Sequence, residues 1–252
     1  MKNVLVPVYQ PVVDMTNHQV KFFEALARRK DGRDGHVRLI ELGESYGFIH
    51  FVDLGILSQV IRELEGRPCV TASVNISVMT IENALSEILS LIFAHLEMAP
   101  RLVFEITETI QITDFKKIGQ FVDAVRLAGG KIAIDDFGDG FASMEIVERF
   151  KPEFVKFPFT MVEELLKTGD VESVSGLSAK IAAMGCQVIA EFVDSKAKVE
   201  LLGQAGVTLG QGYYFGKPSY HPDCVRLECR PEKIIDCRHV GVSLGESACR
   251  SA

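Results

Sequence analysis

The sequence predicts an α/β protein folded as a TIM-like (β/α)8 barrel with an antiparallel first strand. Three observations carry this expectation. Short β-branched runs alternate with amphipathic helical stretches, the pattern of a parallel sheet crossed by helices. The first two strand-like runs stand too close together to run parallel, and most later runs end in a polar residue that core packing does not select. A chain of 252 residues, 47% hydrophobic and 24% charged, is long enough for one such barrel and its large core.

Two strands open the chain, Val8 to Val13 and Gln19 to Leu26. The Asp14 to His18 link between them is far shorter than the roughly dozen residues of a parallel crossover, so they are expected to be antiparallel neighbours. Six further runs follow: Val70 to Asn75, Leu102 to Ile106, Lys131 to Asp135, Phe154 to Lys156, Gln187 to Ala190 and Gly212 to Phe215. Together they give the count of a closed barrel. Between them, Ile81, Leu85, Ile88, Leu89, Ile92, Phe93 and Leu96 form one apolar helical stripe. Thr113 or Asp114 is placed to cap a helix carrying Phe115, Ile118, Phe121, Val122 and Val125, ended by Gly129-Gly130. Another helix is expected from about Val171 to Met184, stopping at Gly185. No linker, repeat or low-complexity segment divides the chain before Pro218, which sets residues 1–220 as one domain. For residues 221–252 a last helix and a disordered tail are expected.

Acidic side chains outnumber basic ones 34 to 27 and no basic run occurs, which argues against a surface that coats polymeric nucleic acid. A small phosphorylated ligand held through metal ions is not excluded, since a local divalent charge outweighs a modest global field. Pro7 and Gln10 interrupt the start before any signal-like stretch forms, and apolar runs fall well short of the ~20 residues needed to cross a bilayer. A cytoplasmic protein without membrane insertion is expected, its six cysteines free thiols. Cys224, Cys229, Cys237 and Cys249 crowd the tail with His221 and His239, but no CxxC spacing supports zinc there.

Glu24, Asn75, Glu105, Asp135, Lys156 and Glu191 end or interrupt the strand runs. In a parallel barrel the carboxyl ends of the strands converge on one face, where such folds place their active sites. Four carboxylates and an amide gathered there repel one another unless something positive neutralises them. An oxygen-only set suits hard divalent cations such as Mg²⁺ or Mn²⁺. For any one of these residues a salt bridge or a solvated strand end is the plainer reading. Asp135-Asp136-Phe137-Gly138-Asp139-Gly140 adds a second aspartate, which serves the same site only if the strand ends between the pair. Without a ligand it is an Asx-type turn.

Taken in order, Tyr9-Gln10-Pro11, Glu24-Ala25-Leu26 with Arg28 two residues on, Ser73-Val74-Asn75-Ile76-Ser77, Glu105-Ile106-Thr107-Glu108, Asp135-Asp136-Phe137-Gly138, Lys156, Ala190-Glu191 and Gln211-Gly212-Tyr213 resemble the EAL domains, phosphodiesterases of the bacterial second messenger cyclic di-GMP. The resemblance runs from about Tyr9 to Pro218. It implies an eight-stranded barrel with its first strand antiparallel and hydrolysis of cyclic di-GMP to linear pGpG. By resemblance Glu24, Asn75, Glu105 and Asp135 look like ligands of one divalent cation, Mg²⁺ or Mn²⁺, and Asp136 reaches a second. Glu191 is similar to the group that holds or deprotonates the attacking water, with Lys156 beside that water. Arg28 resembles the residue on a substrate phosphate, and Gln10 and Gln211 those of the ligand pocket. Glu108 resembles the glutamate bracing the loop after Asp136, which implies coupling to a homodimer interface. Phe137 and Phe141 offer apolar surface for that interface, or core.

Three positions depart from the family pattern. Lys156-Phe157-Pro158 stands where Lys-Ile-Asp is usual, so an acid is lost and the strand must end at Pro158. Phe192-Val193-Asp194 stands where Gly-Val-Glu is usual: Asp194 keeps a charge for the ligand pocket on a shorter arm, and Phe192 adds bulk beside the catalytic strand end. These departures keep open an alternative, a weak or inactive EAL module that acts as a cyclic di-GMP receptor or protein-interaction module.

Overall fold

A computed structural model describes residues 4–32, 35–107, 111–139 and 143–222. Eight strands close into one barrel in sequence order: β1 (Leu5–Asp14), β2 (Gln19–Arg29), β3 (Ala72–Ser77), β4 (Leu102–Thr107), β5 (Lys131–Ile134), β6 (Phe154–Phe157), β7 (Gln187–Ala190) and β8 (Leu209–Gln211). β1 is antiparallel to both β2 and β8, and every other neighbouring pair is parallel. The short Asp14–Gln19 connection has the consequence read from the sequence: Asp14 Oδ1 accepts from the Thr16 amide at 2.8 Å and hydroxyl at 2.6 Å, which tightens the turn.

The period of two along each strand organises the interior. Val12, Phe22, Val103, Ala133, Phe154, Ile189 and Leu209 form one buried cluster. Two positions further along β2, β4, β5, β6, β7 and β8 stand Glu24, Glu105, Asp135, Lys156, Glu191 and Gln211. On the reversed β1 the same step runs backward, from Val12 to Gln10, and Gln10 is the register partner of Glu24. An apolar layer therefore floors a polar layer made by the same strands. Alternate residues face out: Val74, Ile76, Phe104, Ile106, Ile132 and Ile134 join one helix-packed cluster, and Val155, Phe157, Val188 and Ala190 another.

Helices α1 (His36–Ser45), α2 (Ile49–Glu65), α3 (Val78–Asn83), α4 (Leu85–Ala94), α5 (Phe115–Leu127), α6 (Met144–Phe150), α7 (Phe159–Thr168), α8 (Val171–Ala183) and α9 (Lys196–Gln204) surround the barrel. Asp114 caps α5 by accepting from the Lys117 amide, and α8 ends before Gly185, whose φ is +85°. The stripe from Ile81 to Leu96 is not one helix. Glu82, at the end of α3, accepts from the Thr113 amide at 2.7 Å and hydroxyl at 2.6 Å, which ties α3 to the start of α5; the chain then redirects at the non-helical Ala84. The last strand also differs, lying at Leu209–Gln211 rather than Gly212 to Phe215. Gly212 packs its backbone on Val193, so that a Cβ there would sit 2.1 Å from the Val193 carbonyl oxygen. Phe215 and Gly216 donate back to the Gly212 carbonyl in a turn. Phe137 is core, against Phe157 at a centroid distance of 6.0 Å, and offers no interface surface. Phe141, the cysteines and His239 of the tail, and the expected final helix lie outside the described residues.

Asp53 of α2 is buried, and one oxygen, Oδ2, accepts from the Ser77 amide at 2.9 Å and the Thr80 hydroxyl at 2.6 Å, fixing the exit of β3 into α3. Burial pushes its carboxyl up to about 7, against the lowering effect of those two bonds. The folded state thus favours protonated Asp53; this contribution is complete below the unfolded value near 3.8 and is lost as pH rises through about 7. Asp53→Asn keeps an oxygen for both bonds and does not titrate. Urea unfolding is expected to show wild-type stability falling relative to Asp53→Asn between pH 4 and 7, by at most about 1.4 kcal/mol per pH unit. Parallel stability curves over that range contradict the assignment.

Candidate functional site

The polar layer gathers around one ammonium. Lys156 Nζ lies 2.8 Å from Glu105 Oε2, 2.8 Å from Glu191 Oε1, 3.0 Å from Asp135 Oδ1 and 3.4 Å from Glu24 Oε2. The lysine side chain is 1% exposed. All four carboxylates come from different strands or strand ends, brought together by the register of β2, β4, β5, β6 and β7. Surrounding negative charge holds Lys156 well above the ordinary lysine value in spite of its burial.

Glu24 is the most heavily partnered of the four. Its Oε1 accepts from Asn75 Nδ2 at 2.9 Å, and its Oε2 from Gln211 Nε2 at 2.5 Å as well as from Lys156. Burial raises its carboxyl, but Lys156, Gln211 and Asn75 together hold it below the ordinary glutamate range. Gln10 Nε2 donates to the Gly216 carbonyl at 3.1 Å, and its Oε1 lies 3.4 Å from Gln211 Nε2, so both glutamines are held in place at the β1–β8 seam. Glu105 and Glu191 behave differently from Glu24. Burial is the largest influence on each and pushes each up to about 8, with Lys156 opposing. Asp136 is pushed up to about 6 by burial and by the neighbouring Asp135.

Asp136 reaches the site because β5 ends before it. Its φ is +46°, a left-handed conformation that turns the chain between the two aspartates. Carboxylate oxygens of Asp135, Asp136 and Glu191 lie within 4.8 Å of one another, an arrangement able to hold a metal ion. Asn75 Oδ1, Glu105 Oε1 and Gln211 Oε1 are buried without a hydrogen-bond partner, and Asp135 Oδ1 meets Lys156 without hydrogen-bond geometry. Buried oxygens left in this state carry a desolvation cost. An oxygen-only cation site offsets it, so the donor set fits hard divalent ions.

A cavity of about 730 Å³ opens above this layer, of the size that holds a small ligand. Its polar end is formed by Glu24, Asn75, Asp135, Asp136, Lys156 and Glu191. Arg28 and Asp194 also line it. Arg28 Nη1 donates to the Ala27 carbonyl at 2.9 Å, and Asp194 is turned toward Lys198 at 3.1 Å. Glu108 lies outside the described residues.

Several contributors were not foreseen. Lys198 of α9 is 3% exposed and joins Glu163 of α7 at 2.6 Å, Asp194 and the Phe192 carbonyl at 3.0 Å, which fixes the chain leaving β7. Its partners come from α7, the loop after β7 and the Phe192 backbone, so no local sequence signal marks it. Asp53 also lines the cavity, and its burial is set by long-range packing alone.

The description "EAL domain" fits residues 2–218 in a family model. Among curated relatives, the chain is similar to the "Probable cyclic di-GMP phosphodiesterase PdeG" of Escherichia coli, 26% identical over 243 residues, covering 91% of this chain and 48% of that protein. The chain therefore spans about half the length of that relative. Among solved structures it resembles the complex of PaMucR phosphodiesterase with c-di-GMP, at 25% identity and a TM-score of 0.75 over 86% of this chain and 92% of that one. It also resembles Klebsiella pneumoniae BlrP1 in a calcium and cyclic di-GMP complex, at 24% identity and a TM-score of 0.74 over 86% of this chain and 56% of that one; at that identity the likeness concerns the fold.

The central ammonium generates a prediction. Lys156→Met removes the internal counter-ion of four carboxylates. In EDTA the variant is expected to lose about 3 kcal/mol or more of stability in urea unfolding, as when one partner of a buried ion pair is deleted. Stability within 1 kcal/mol (about a fivefold change in the folding equilibrium) of wild type contradicts the neutralising role.

Proposed function

The chain belongs to the EAL domain family, and on that premise we propose that it is a metal-dependent phosphodiesterase that hydrolyses cyclic di-GMP to linear pGpG. The observation that carries the reading is the convergence of Glu24, Glu105, Asp135 and Glu191 on one buried ammonium, beside unpartnered buried oxygens of Asn75 and Glu105. Glu24, Asn75, Glu105 and Asp135 hold one divalent cation, Mg²⁺ or Mn²⁺, and Asp136 holds the second. When bound, the two ions supply Lewis-acid polarisation of the phosphodiester and neutralise charge on its oxygens.

The remaining work falls to the protein's own groups. Arg28 binds a phosphate oxygen, while Gln10, Gln211 and Asp194 contact the ligand from the pocket. Glu191, steadied by Lys156, orients a water and takes its proton as the water oxygen bonds to phosphorus. The bond from phosphorus to the 3′ oxygen breaks, that oxygen takes a proton from solvent water, Glu191 later releases its own to solvent, and a linear dinucleotide with a 5′ phosphate leaves. Action in the cytoplasm, a homodimer coupled to the site through Glu108, and a domain spanning residues 1–220 followed by a tail belong to the same proposal. Among the described residues no helix is long and apolar enough to cross a membrane.

A second reading, binding without turnover, is favoured by one observation: the bulky Phe192 lines the cavity next to Glu191. Purified protein with cyclic di-GMP in Mn²⁺ separates the two. Hydrolysis to pGpG is expected, and Glu191→Gln is expected to lower kcat by about a hundredfold or more, the range for a lost general base, with binding in Ca²⁺ unchanged within a few-fold. Tight binding by wild type without any pGpG contradicts the enzymatic reading.

A further inference from the structure

Phe192 is held in a conformation that a phenylalanine does not readily adopt. Its φ is +54°, left-handed backbone that costs an aromatic residue energy and persists only where its surroundings impose it. Those surroundings are identifiable. The Phe192 carbonyl accepts from the buried Lys198 ammonium at 3.0 Å. The next residue, Val193, donates to the Gln211 carbonyl at 3.0 Å and accepts from the Tyr214 amide at 3.0 Å. Gly212 closes the seam, since any Cβ there would meet the Val193 backbone. The loop is thus bonded on both sides.

The ring that this backbone presents is not used by the core. Phe192 is 56% exposed, and it lines the cavity above the strand-end carboxylates. Phe159, itself 47% exposed at the start of α7, supports it edge-to-face at a centroid distance of 5.2 Å. Lys198 Nζ lies 5.9 Å from the Phe159 ring, so one cation holds both the carbonyl of the first aromatic and the face of the second. A pinned, water-exposed aromatic face beside the polar end of a largely apolar cavity matches a flat π-system, and every nucleobase offers one.

We propose that Phe192, backed by Phe159, is a specificity-determining platform on which one guanine base of the bound cyclic dinucleotide stacks. The proposal rests on the ligand assigned above. It also gives the bulk beside Glu191 a positive role: affinity and pose come from the ring, whereas the phosphodiester is handled by the strand-end groups below.

Binding of cyclic di-GMP in Ca²⁺, followed by calorimetry, tests it. Phe192→Leu removes the ring but keeps the backbone constraint, and Phe192→Gly removes the ring and relaxes the backbone. Both are expected to weaken binding by about tenfold or more, the scale of one lost base-stacking contact, and Phe192→Tyr is expected to retain affinity within about threefold because it preserves the face. Circular dichroism establishes that each variant is folded. Wild-type affinity in Phe192→Leu and Phe192→Gly overturns the platform while leaving the ligand assignment intact. Absence of binding by wild type overturns the ligand assignment and the platform with it.

Discussion

One ammonium among four carboxylates sets the terms for the rest of this structure. Lys156 contacts Glu24, Glu105, Asp135 and Glu191 from within the barrel, where burial weakens screening and desolvation of ions is expensive. Four carboxyl groups share this one cation, even before Asp136 is counted. The carboxyls respond unequally: Glu24, with three donors, stays ionised readily, while Glu105 and Glu191 are pushed up to about 8. The all-oxygen donor set is what suits the site to divalent cations. A bound cation would offset the unpartnered oxygens of Asn75, Glu105 and Gln211; the Tyr9 and Ser73 hydroxyls are also buried without partners.

The barrel makes this concentration of charge possible by separating it from the core by one strand repeat. Phe22, Val103, Ala133, Phe154, Ile189 and Leu209 close the interior below, and the functional residues follow two positions later on the same strands. Burial of the apolar layer therefore fixes the aim of the polar one, since a slip of one residue would turn every carboxylate outward. The reversed β1 contributes Gln10 opposite Glu24 without adding another charge. Above the layer, the loop bearing Phe192 is pinned by Lys198 and by the bonds of Val193 to the segment after β8.

Much of this frame was legible in the chain. Each of Glu24, Asn75, Glu105, Asp135 and Glu191 ends or interrupts an apolar run, and Asp14 to His18 is too short to cross over, so the barrel and its polar end follow from local patterns. The salt-bridge reading was also apt in part, because Lys156 pairs with four of them. What escaped depends on distant partners. The helical stripe from Ile81 onward breaks because Glu82 binds the start of α5, a contact invisible to periodicity. The last strand was displaced toward Tyr213 because apolar residues there fill a turn as readily as a strand. Phe192 was visible as bulk, but its left-handed backbone and its support by Phe159 and Lys198 come from three separate segments.

If divalent cations complete the carboxylates gathered at the strand ends, the folded chain must retain them. Equilibrium dialysis against Mn²⁺ with cyclic di-GMP present measures this directly as ions retained per chain. Two ions are expected for wild type and fewer for Asp135→Asn, which keeps the shape but removes a charge. No retained Mn²⁺ in a folded protein would contradict it, and Lys156 would then be the sole counter-ion of the site.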